Sequence, residues 1–108
     1  MRKSILLVCL FLFSITPSYS ESLSGLETAV IKHAQDNPDT AYEYFLEKIE
    51  AGATPAEQAV YLYGMGVARE RQNNSSEALN DYLAAEALGN ENAGKAVKRL
   101  REENTGEK

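Results

Sequence analysis

Cysteine, tryptophan, histidine and proline are nearly missing from this chain of 108 residues, which has one Cys, no Trp, one His and three Pro. The lone cysteine, Cys9, lies in an apolar run near the amino terminus, so the rest of the chain has neither a disulfide framework nor a thiol nucleophile. A single histidine, His33, without a carboxylate-rich loop falls short of a zinc or calcium ligand set, so no metal or other cofactor is expected. No stretch alternates as a strand does, and no apolar run reaches the roughly 20 residues needed to cross a bilayer. Positive charge is scarce too: 11 Lys and Arg face 16 Asp and Glu, a net charge of −5. That balance argues against nucleic acid or anionic lipid as the main partner.

The amino terminus has a different character. Arg2 and Lys3 precede the apolar run Ile5–Ile15, and Ser18-Tyr19-Ser20 offers small residues at the spacing a signal peptidase reads. The pattern predicts a secretory signal over 1–20, a single domain over 21–103 and a polar tail over 104–108. Cleavage falls after Ser18 or Ser20. Val8 stands before Cys9 where a lipoprotein site needs a small residue. The expected location is outside the cytoplasm, periplasmic in a Gram-negative source and secreted otherwise, with no stable membrane insertion once the signal is removed. Residues 21–108 then carry nine basic and 16 acidic side chains, a net charge of −7, and four of the bases lie within Lys95–Arg101.

Within that domain, Ser22–Gln58 and Ala59–Lys95 align without a gap at an offset of 37 residues. Identities fall at Val30/Val67, Gln35/Gln72, Asn37/Asn74, Ala41/Ala78, Leu46/Leu83, Gly52/Gly89 and Ala56/Ala93. They coincide with helix punctuation. Ser24-Gly25-Leu26-Glu27 and Thr54-Pro55-Ala56-Glu57 have the form of capping boxes. Asn37-Pro38 and Asn74-Ser75-Ser76-Glu77 supply Asn caps, and Gly52 and Gly89 stand where a left-handed residue ends a helix. Apolar residues recur at helical spacing, which predicts five helices over 24–36, 38–51, 55–72, 75–88 and 91–103. Gly64 and Gly66 fall inside the third, where each costs about 1 kcal/mol relative to alanine. A close helix crossing there would offset that cost. A Gly-x-Gly phosphate loop follows a strand and opens a helix, which these two glycines do not.

Ala59–Glu86 resembles a tetratricopeptide repeat: Gly66, Ala78, Tyr82 and Ala85 match that family's small, small, aromatic and small positions, and Leu62 stands where it often has tryptophan. The unit of 37 exceeds the tetratricopeptide length of 34, and Glu77-Ala78-Leu79 with Tyr82, Ala84-Ala85 and Leu88-Gly89-Asn90 is also similar to Sel-type repeats of exported bacterial proteins. The first unit departs from the pattern, with Ala29 for the glycine and Lys48 for the second small residue, and the Sel-type glycine-rich loop is replaced by Gln72-Asn73-Asn74-Ser75. The resemblance implies an all-α fold, a short α-solenoid of antiparallel helix pairs with two and a half repeats and a fifth helix as cap. It also implies that the first helix of each pair lines a concave face, which selects Leu26, Val30, Val60, Tyr63, Val67, Glu70, Arg71, Leu100 and Arg101 as partner-binding residues.

No group of residues builds a catalytic centre. His33 with Glu27 and Asp36, and Glu43, Glu47 and Glu50 along one helix face, read as solvated surface rather than acid–base machinery. Tyr42/Tyr44 and Tyr61/Tyr63 are two residues apart on helices and must point in different directions, while Tyr82 takes the aromatic core slot that Phe45 holds in the other unit. The expected function is non-enzymatic: an exported adaptor or assembly factor that holds a protein segment. The alternative is a stoichiometric inhibitor or immunity-type protein of an exported enzyme, suggested by the acidic surface.

Overall fold

The computed structural model describes residues 23–105, which form five helices and no strand. Helix α1 covers 23–36, α2 Pro38–Glu50, α3 Pro55–Arg71, α4 Ser75–Ala87 and α5 Glu91–Thr105. Both α2 and α4 have 13 residues, and they begin at 38 and 75. The expected signal over 1–20 lies outside the described residues, as do 106–108. The helix over 91–105 runs two residues past its expected end at 103, into the segment read as tail, and an i,i+4 ion pair between Arg99 and Glu103 at 3.7 Å supports its last turns. Its last described turn holds no basic residue.

Local chemistry sets most helix ends. At α3, Thr54 Oγ1 accepts from the Glu57 N–H at 3.2 Å while the Glu57 carboxylate accepts from the Thr54 N–H at 3.0 Å, a complete capping box ahead of Pro55. Asn74 accepts from the Glu77 N–H at 3.4 Å, and Asn90 does the same for α5 from the Ala93 N–H at 2.8 Å. Asn37 occupies the cap position of α2 without a side-chain bond of its own, and Pro38 needs no N–H partner. The box expected at Ser24 does not form. Residue 23 is already helical, so the Ser24 carbonyl accepts from Thr28 Oγ1 at 3.2 Å and Glu27 turns toward α5 instead. Gly52 and Gly89 adopt φ of 112° and 103°, the left-handed backbone that an L side chain resists.

Helix α3 packs between α2 and α4, and α4 packs on α5. Two apolar clusters result. One joins Val30 and Ala34 of α1, Ala41 and Phe45 of α2, and Val60, Met65 and Ala68 of α3. The other joins Ala78, Tyr82 and Ala85 of α4 to Ala93, Ala96, Val97 and Leu100 of α5. Leu62 and Val67 of α3 touch both clusters and fuse them into one core. Gly64 and Gly66 make this possible. A side-chain carbon on Gly64 would come within 2.8 Å of the Phe45 ring and also strike Val30, and one on Gly66 would enter the Tyr82 ring. Each glycine therefore seats one aromatic, and both rings are buried completely. Burial of such a ring stabilises by about 2–3 kcal/mol, more than the helix propensity lost at the glycine.

Candidate functional site

A cleft of about 390 Å³ opens over the second half of α3. Tyr63, Val67, Glu70 and Arg71 supply its floor and one edge, because positions 63, 67 and 70 recur on one helix face. Gln35 of α1, Tyr82 of α4 and Arg99 of α5 complete it. Glu70 organises the electrostatics. Arg99 donates to both of its oxygens, at 2.9 Å and 2.8 Å, and the Tyr82 hydroxyl donates to Oε1 at 2.7 Å. Arg99 first, and Tyr82 with it, hold the Glu70 carboxyl below the usual carboxylate range despite partial burial. The Tyr82 hydroxyl is pushed up, first by burial and then by the carboxylate it faces, and burial raises Tyr63 as well. The Tyr63 ring leans on Tyr82 at 5.5 Å between centroids. The cleft therefore has an aromatic and aliphatic floor, a fixed ion pair on one wall, and exposed Arg71 and Gln35 at its rim.

Of the residues selected from sequence, Tyr63, Val67, Glu70 and Arg71 come together in this cleft. Leu26 and Val30 belong to a different groove, between α1 and α2. Val30, Val60 and Leu100 are only 3%, 5% and 1% exposed and are packed into the core, so little of their surface is open to a partner. With so few helices, the apolar residues of α1, α3 and α5 are consumed in packing those helices onto α2 and α4. Arg101 is exposed on α5 and lines neither cavity.

Gln35, Tyr82 and Arg99 were not among the selected residues. Tyr82 carries its core role on the ring and its cleft role on the hydroxyl, and only the first is visible in a repeat pattern. Arg99 stands 29 residues from Glu70, a spacing that neither helical periodicity nor the 37-residue offset marks.

On the other side of α3, the Arg69 guanidinium sits over the Tyr42 ring at 3.8 Å from its centroid, with Nε 3.3 Å from Glu77 Oε1. Asp81, one turn beyond Glu77, buries Oδ2 without a hydrogen-bond partner among the described residues, and burial pushes its carboxyl up to about 6. His33 packs against the Tyr44 and Phe45 rings, and Asp36 pairs with Lys32 at 2.9 Å, so the histidine and that carboxylate do not act together.

Among the described residues no cluster of three or more His, Cys, Asp or Glu is placed to hold a metal ion, and no helix is long and apolar enough to cross a membrane. No protein-family model matches this chain, and no curated protein and no solved structure matches it either.

Proposed function

We propose that this protein is an exported, non-enzymatic interaction module that holds a segment of another protein, as an adaptor or assembly factor, in the cleft over α3. The observation that carries the proposal is the convergence of Tyr63, Val67, Glu70 and Arg71 with Gln35 and Arg99 from the flanking helices. A tyrosine-rich floor beside an arginine rim is the residue chemistry that protein contacts favour. The resemblance of 59–86 to a tetratricopeptide or Sel-type repeat supports the same reading, and residues 1–20 support export, to the periplasm in a Gram-negative source and to the medium otherwise.

The test is affinity capture from the native host with wild-type protein, with Arg71→Glu, and with Tyr63→Ala combined with Val67→Asp, circular dichroism confirming that each variant is helical. Loss of the same captured partner in both folded variants is expected. Retention of every partner by both variants would reject the cleft.

A second reading, a stoichiometric inhibitor of an exported enzyme, is supported by the exposed Glu43, Glu47 and Glu50 on α2, which present an acidic face to a basic target. Charge reversal of these three with no loss of protection of the target enzyme would exclude it.

A further inference from the structure

We propose that the groove between α1 and α2 is a second binding site, independent of the cleft, for a small amphiphile: an apolar chain or ring ending in one anionic group. The groove encloses about 390 Å³, within the range of small-ligand pockets. Leu26 and Val30 of α1 form one wall, and Phe45 of α2 with Tyr61 of α3 form the other.

The aromatic residues make a connected surface. His33 lies 5.2 Å from Tyr44 and 5.4 Å from Phe45, and Phe45 stacks on Tyr61 at 5.9 Å, all between ring centroids. Phe45 is fixed from behind by the backbone of Gly64, so this wall is formed before any ligand arrives. Tyr44 is 44% exposed, a large apolar surface left open at the mouth.

Lys48 sets the sign of the ligand. Among the described residues that line the groove it is the one with a formal charge, and its ammonium sits over the Tyr44 ring at 5.2 Å. An aromatic-walled pocket ordinarily suits a cation, but here a cation already occupies the ring face, and a second would be repelled. An anionic head beside Lys48 with its apolar part along Leu26, Ala29 and Tyr61, over the buried Val30 and Phe45 beneath, matches this lining.

The register between the two helix pairs gives the groove and the cleft equivalent places, since Tyr63, Val67, Glu70 and Tyr82 stand 37 residues after Leu26, Val30, His33 and Phe45. Thirty-seven residues after Lys48 stands Ala85, fully buried in the core shared by α4 and α5. Thirty-seven after His33 stands Glu70, which is bound by Arg99. The two spaces therefore differ in chemistry: Lys48 brings a cation to the groove, whereas the cleft holds the Glu70–Arg99 pair.

Titration of the purified protein with decanoate below its micelle concentration, followed by tyrosine fluorescence and by calorimetry, tests the proposal. Saturable 1:1 binding is expected, weakened at least tenfold in Lys48→Glu, abolished in Ala29→Trp, which fills the groove from an exposed position, and unchanged in Arg71→Glu, a change in the other cleft. Decyltrimethylammonium should bind at least tenfold more weakly than decanoate. Cosedimentation with phosphatidylglycerol vesicles but not with neutral ones would identify a lipid as the source of the head group, and decanoate binding without cosedimentation a free amphiphile. The proposal is overturned by absence of saturable binding to the folded wild type, by equal affinity in Lys48→Glu, by equal affinity for the cationic probe, or by a dimer in sedimentation that Ala29→Trp dissolves, which would assign the groove to a second copy of the chain. Because Arg71→Glu addresses only the cleft, failure here leaves the proposed partner function to be judged by its own variants.

Discussion

Arg99 of α5 binds both carboxylate oxygens of Glu70 in α3, at 2.8 Å and 2.9 Å, and so ties the last helix to the middle one. Tyr82 of α4 adds a third bond to the same group. One carboxylate therefore collects three helices at the wall of the cleft.

Removing the members of this triad should cost unequal amounts. Tyr82→Phe keeps the ring on Gly66 and loses one hydrogen bond, about 1 kcal/mol. Glu70→Ala leaves the Tyr82 hydroxyl and the Arg99 guanidinium without their acceptor and should cost about 2 kcal/mol. Urea unfolding of the two variants and of the double variant checks this, and the double variant should fall short of the sum because the sites are coupled.

Glycines in helices should respond in opposite directions according to their surroundings. Gly25→Ala in α1 meets open space and gains helix propensity, so a stabilisation of about 0.5–1 kcal/mol is expected. Gly66→Ala gains the same propensity but drives a methyl into the buried Tyr82 ring, and overpacking of about 1–3 kcal/mol should win. Thermal melts of the two single variants give the comparison directly.

The pH dependence of stability follows from two carboxylates with opposite signs. Asp81 has a folded pKa raised to about 6 by burial, while Arg69, which opposes the rise, is shared with Glu77 and lies on Tyr42. Its contribution is complete below the unfolded value of about 4 and is lost as pH rises through 6. Glu70, held low chiefly by Arg99, contributes above the ordinary carboxylate range and is lost on acidification. Asp81→Asn should therefore stabilise at pH 7.5 by about 1 kcal/mol after allowance for screening at its exposed edge, a gain of about 5 °C, and bring no gain near pH 4. Calorimetry at the two pH values decides it.

Substituting the two turn glycines tests the correspondence between helix pairs. Gly52→Ala and Gly89→Ala each place an L side chain at a φ above 100° in open surroundings, so both should destabilise by about 1–2 kcal/mol and by similar amounts. Chemical denaturation with equal slopes for both variants would show that the folded state is otherwise unchanged.

Much of the fold was legible because its causes are local. Thr54-Pro55-Ala56-Glu57 contains both partners of a capping box, Gly52 and Gly89 declare left-handed turns, and two glycines in one helix announce a close crossing. Tyrosines two residues apart separate as helical geometry requires: Tyr42 lies under Arg69 and Tyr44 by Lys48, Tyr61 on Phe45 and Tyr63 on Tyr82. The cleft was legible only in part. Val30, Val60 and Leu100 share the apolar character of a contact surface, and only the tertiary packing shows that the core claims them. Arg99 looks on the sequence like one member of a basic run, and its role depends on a carboxylate in another helix. Ser24 has the residue type of a cap, but the helix has already begun before it.

The Asn92 side chain donates to the Glu27 carboxylate at 2.9 Å, with Asn90 at 3.5 Å beside it, which joins the first described helix to the last across 65 residues. An array in which each helix touches only its neighbours can fray one helix at a time from either end. Here the loosening of α5 also releases α1. The two ends are coupled by about the worth of one hydrogen bond, roughly 1 kcal/mol, so hydrogen exchange in α1 should accelerate when Asn92 is replaced at the far end of the chain.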